Sequence, residues 1–138
     1  MNMKIKIAAA AFAAGLVALA GAPLLQAQGG AFRFFGPLSR VVTPNGDGIN
    51  DRFFVCFDNF SDSGVSGKIY TLLGAEVASM TSKAARTPTE GTGCPAGIVP
   101  QFTFWDGTSN GSRVRSGIYV YRIEAEGKTY AGTLLVVR

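Results

Sequence analysis

No histidine occurs anywhere in the chain. That removes Ser-His-Asp and Cys-His catalysis, where an imidazole must carry the proton, together with every zinc site that needs an imidazole ligand. Charge is sparse as well. The 13 lysines and arginines and 9 acidic residues form no clustered basic stripe of the kind a phosphate backbone demands, so nothing points to a nucleic-acid partner. There are only two cysteines, no internal repeat, and no sustained helical period after the first thirty or so residues. Paired carboxylates are the remaining route to catalysis. Glu124 and Glu126 would sit on one strand with the same orientation, facing solvent together rather than across a substrate. A chain poor in reactive side chains points away from an enzyme and from a small-molecule substrate.

What is present begins with a leader. "MNMKIK" is followed by an uncharged stretch from Ile7 through Phe32, and "LQA" offers a cut after Ala27. A basic start, an apolar centre and a small residue at the cut describe a Sec-type signal peptide over residues 1–27. The apolar run is nearly long enough to span a bilayer, but its alanine- and glycine-rich composition favours cleavage over anchoring. Loss of Lys4 and Lys6 with the leader leaves 11 basic against 9 acidic residues. An exported chain meets an oxidising compartment, so Cys56 and Cys94 are expected to pair as a disulfide; two buried free thiols are the alternative.

The mature part, about 110 residues, is one domain's worth of chain. Residues 28–38 read as an N-terminal extended segment carrying Phe32, Phe34 and Phe35. Residues 39–138 read as the domain proper. "RFFVCF" alternates so that Phe53, Val55 and Phe57 share one face. "GKIYTLLGAEV" reverses at Gly74, with Ile69, Leu72 and Val77 as its apolar contribution. The stretch from Thr81 to Pro100 has Pro88, Pro95 and Pro100 and no period, which predicts a long loop. "QFTFWDG", then "IYVYRIEAEG" with Tyr119, Tyr121 and Ile123 on one side, then "TYAGTLLVVR" complete the count. Six or seven short strands with turns every 8 to 12 residues predict an all-β fold, a single immunoglobulin-like antiparallel β-sandwich.

"TPNGDGIND", Thr43 to Asp51, is the densest polar motif. Asn45, Asp47, Asn50 and Asp51 place side-chain oxygens at near-alternate positions, and Gly46 and Gly48 let the backbone curl. Such oxygens suit structural calcium, the one cofactor the sequence suggests, although the distal bidentate Glu of an EF-hand is missing. The same residues equally make a bend whose Asx side chains cap backbone N–H groups. Asp106 and Asn110 would add oxygens only if the fold brings them near.

"VVTPNGDGINDRF", "GKIYTLLGAEV", "FTFWDGTSNGSRVRSGIYVYRIEAEG" and "GTLLVV" occur in this order across the mature chain. Together they resemble the gliding-motility-associated C-terminal domain and the related type IX secretion sorting domains. The second half also resembles the immunoglobulin-like domain of the flagellar hook-capping protein, whose role is at odds with a Sec leader. The resemblance implies a non-catalytic bacterial surface domain that directs passage through the outer membrane, with secretion machinery or cell-surface proteins as partners. Little lies between leader and domain, so a stand-alone surface subunit is one expectation. Two other functions compete: a secreted carbohydrate-binding module using Tyr70, Trp105 and Tyr130, and a homo-assembling fibre subunit that donates the Phe32–Phe35 segment to a neighbour's sheet.

Overall fold

The computed structural model describes residues 31–85 and 93–138. The signal peptide with its cut after Ala27, and residues 86–92 of the expected long loop, lie outside the described residues.

In chain order the strands are β1 (Arg33–Pro37), β2 (Val41–Val42), β3 (Phe53–Asp58), β4 (Val65–Thr71), β5 (Glu76–Ser79) and β6 (Thr81–Ala85). They continue as β7 (Pro100–Trp105), β8 (Thr108–Ser109), β9 (Ser112–Arg113), β10 (Gly117–Ala125) and β11 (Lys128–Val136). One sheet has the order β1-β3-β7-β6, the other β2-β11-β10-β4-β5, and β8-β9 is a small separate hairpin. The two larger sheets face each other across an apolar core, as expected for a β-sandwich.

Among the described residues eleven strands stand where six or seven were expected: β1 arises from the N-terminal extended segment, β6 from the expected loop, and β8-β9 from the turn after Trp105, and the chain changes sheet at two places. β1 pairs with β3 in the first sheet, and a few residues later β2 runs parallel to β11 in the second. Likewise β5 and β6 are separated only by Met80, which is buried and donates its N–H to the Gly67 carbonyl. Gly67 has no side chain because Met80 fills the space: a Cβ there would stand 2.9 Å from its sulfur.

Alternation builds the core as the sequence predicts. Phe53, Val55 and Phe57 are fully buried; Phe53 and Val55 share a cluster with Ile69, Tyr121, Ile123, Leu134 and Val136 from the opposite sheet, and Phe57 packs in a second cluster with Phe32 and Ala125. Each such side chain stabilises the fold by about 1.5–3 kcal/mol relative to exposure. Gly74, at φ +89°, makes the expected reversal, with its N–H on the Thr71 carbonyl.

Three expectations need correction. The predicted loop starts as a strand: β6 pairs with β7, Thr81 opposite Phe104 and Ala84 opposite Phe102. Its side chains are small or polar and it lies at a sheet edge, so no apolar period betrays it. Leu72 does not serve the core, because β4 ends at Thr71 and Leu72 is 63% exposed in the turn. Glu126 is not on the strand with Glu124. β10 ends at Ala125, and Glu126 and Gly127 form a two-residue turn with φ of +50° and +71°, the positive values that match the twist of a tight hairpin.

Candidate functional site

The Asn45–Asp51 segment folds around its own carboxylates. Asp51 Oδ1 accepts from the N–H groups of Asn45 (3.1 Å) and Gly46 (2.7 Å), and Oδ2 accepts from that of Gly48 (2.6 Å). These backbone donors, those of Gly46 and Gly48 foremost, hold the Asp51 carboxyl below the usual carboxylate range; Arg113 contributes from a distance. Asp47 Oδ1 accepts from Ile49 N–H (2.8 Å), Asp47 Oδ2 from the Asn45 amide (2.9 Å), and Asn45 Oδ1 from Asp47 N–H (3.0 Å). Asn50 takes φ +53°, and its carbonyl receives Thr43 N–H at 2.7 Å.

The four residues singled out by the sequence are therefore brought together in one turn, with the side-chain oxygens of Asn45, Asp47 and Asp51 on N–H groups and Asn50 contributing its backbone carbonyl. Among the described residues no group of three or more acidic or cysteine side chains is placed to hold a metal. The hydrogen bonds on these oxygens are those of a capped turn.

This turn abuts the Trp105-Asp106-Gly107 turn. Gly107, at φ +77°, lies so close to Pro44 that a Cβ would stand 2.9 Å from the proline ring. Asp51, Arg52, Asp106, Thr108 and Arg113 line one open cleft of about 310 Å³ between the two turns. Asp106 caps Thr108 through both its N–H (3.0 Å) and its hydroxyl (2.6 Å). Asn110 falls instead in a second cleft with Val77 and Phe104. Two sequence motifs sixty residues apart thus form one end of the sandwich, and the chemistry on view is hydrogen bonding alone.

The aromatic residues weighed for glycan binding are differently placed. Trp105 is 3% exposed, packs against Tyr119 at 5.9 Å between ring centroids, and donates Nε1–H to the Thr108 carbonyl. Tyr130 stacks on Phe34 at 4.4 Å. Tyr70 is half-buried on β4 beside Lys68 and Arg122. Trp105 and Tyr130 thus serve core and brace, whereas Tyr70 lines a surface cleft among charged side chains. The Phe32–Phe35 segment is used within its own chain. Phe32 is buried against Phe57, its N–H is held by Glu126 at 3.0 Å, and Ser63 donates to the other oxygen of that carboxylate at 2.8 Å.

Cys56 and Cys94 are joined, with Cα atoms 5.9 Å apart. The bridge ties the segment before β7 to the outer face of the first sheet. There Gly97 covers Asp58, a buried carboxylate that accepts from Ile98 N–H at 3.3 Å. Any Cβ at Gly97 would stand 1.8 Å from Asp58 Oδ1. Nothing in the sequence marks Asp58 as buried, since the alternation of β3 assigns it to the outward face.

Residues 37–136 match the family model of the CHU_C type IX secretion signal domain. No curated protein and no solved structure matches the chain.

Proposed function

Because the chain belongs to the type IX secretion signal domain family, we propose that it is a non-catalytic address module: an exported domain recognised by protein contacts and carried to the cell surface or medium. The carrying observation is the extent of the match. Residues 37–136 reach from the end of β1 to the end of β11, so the family resemblance and the sandwich are nearly coextensive. The absence of histidine, together with turns whose carboxylates are engaged by backbone donors, supports binding over chemistry. We read residues 1–27 as the Sec leader that delivers the chain to the periplasm, where the Cys56–Cys94 bridge forms before the outer-membrane step.

The test is the location of the full chain, epitope-tagged within the Leu72–Gly74 turn, in a type IX-competent bacterium and in a strain lacking the outer-membrane translocon. Surface or medium localisation in the first and periplasmic retention in the second is the expected result. Equal distribution in both strains would refute the proposal.

A further inference from the structure

A β-sandwich has sheet edges, and edges are normally guarded because unpaired N–H and C=O groups invite another strand. Here β1, β5 and β6 are guarded by irregularity: each meets its neighbour with a register shift, and β1 ends in Pro37. The fourth edge is different. β11 stays in step with β10 from Gly117↔Val136 to Ala125↔Lys128 without a shift. From Thr129 to Val137 it has neither a charged residue nor a proline.

On its outer side β11 is paired only where β2 lies, at Leu135 and Val136. Leu135 N–H reaches the Arg40 carbonyl at 2.7 Å and Val137 N–H the Val42 carbonyl at 2.9 Å. Odd-numbered residues therefore direct their backbone groups outward, and the period of two extends this to Thr133, Ala131 and Thr129. No strand among the described residues lies beside those three. Their side chains are exposed. Above this free edge, on the core side, stand the half-buried stacked rings of Phe34 and Tyr130.

We propose that the Thr129–Thr133 edge of β11 is the docking site for an extended strand of the outer-membrane export apparatus, added beside β11 in line with β2. This rests on the function proposed above and names the mode of that recognition. Main-chain hydrogen bonds to Thr129, Ala131 and Thr133 supply affinity, and alternate apolar side chains of the incoming strand meet Phe34 and Tyr130 for selectivity. A second copy of this chain is a poorer occupant. Antiparallel pairing of two β11 edges about Ala131 places Leu135 of one opposite Gly127 of the other, which drives the attached β2 into the Glu126-Gly127 turn.

Proline provides the test, because it removes an N–H and is tolerated in a strand only where that N–H faces solvent. Ala131→Pro and Thr129→Pro, made in the full chain, are expected to fold, with a cooperative thermal transition. In the type IX-competent strain they should remain in the periplasm while the wild-type chain reaches the surface, a loss of export of tenfold or more. Folded variants exported like wild type would overturn the docking edge and leave the address function standing. Failure of both variants to fold would show that these N–H groups are not free, which overturns it too. A wild-type chain that never leaves the periplasm would remove both proposals. Concentration-dependent dimers abolished by Ala131→Pro would assign the edge to a second copy instead.

Discussion

Asp51 organises the most conspicuous motif of the chain by accepting three backbone N–H groups within its own turn. Its folded pKa lies below the ordinary carboxylate value. The stabilisation it provides is therefore complete above that ordinary value and is lost as pH falls through the lowered folded one. Asp51→Asn should lower the unfolding midpoint by a few degrees at neutral pH and shrink the difference between wild type and variant in acid, read by thermal denaturation across pH 2 to 7. Because the same oxygens are turned to N–H groups, millimolar calcium and EDTA should give equal midpoints; a calcium-dependent rise would make the turn a metal loop after all. The presence of Asn45, Asp47, Asn50 and Asp51 at one turn was legible in the sequence. The N–H partners that Asn45, Asp47 and Asp51 take were not, because they depend on the backbone path through Gly46 and Gly48 rather than on residue type.

Elements were legible where side-chain period and burial coincide. Phe53, Val55 and Phe57 on β3, and Tyr121 and Ile123 on β10, alternate into a two-sided core, and the pattern can be read directly. β6 was not legible, since Thr81–Ala85 is a strand by backbone pairing with β7 and its small or polar side chains bury little. The sheet changes at Leu38–Arg40 and Met80 are equally silent, being properties of path rather than of pattern. Asp58 was hidden for a related reason: the outward face of β3 is covered by the Gly93–Val99 segment, which the Cys56–Cys94 bridge and the hydrogen bonds of Ile98 and Val99 hold there. That bridge closes a separation of 38 residues, and removing such a closure costs about 2–5 kcal/mol. Cys94→Ser should lower the denaturation midpoint correspondingly and abolish any further effect of reductant. An unchanged midpoint would mean that packing of Gly93–Val99 on the sheet suffices without the bond.

For the molecule as a whole, the sandwich is well closed at its core, carries hydrogen-bonded turns at one end, and among the described residues leaves one regular edge on β11. An export address needs a folded shape that machinery can recognise, and none of these features needs a reacting group. Export is the coarse property that family membership carries; the route and the contact are the finer claims made above. The most direct measurement is to append residues 28–138 to the C-terminus of a Sec-exported fluorescent protein and assay its accessibility to external protease in translocon-positive and translocon-deficient cells. If the sandwich is the address, the fusion becomes protease-accessible in the first strain only and stays periplasmic in the second. A fusion that remains periplasmic in both, although folded and disulfide-bonded, would contradict the central claim.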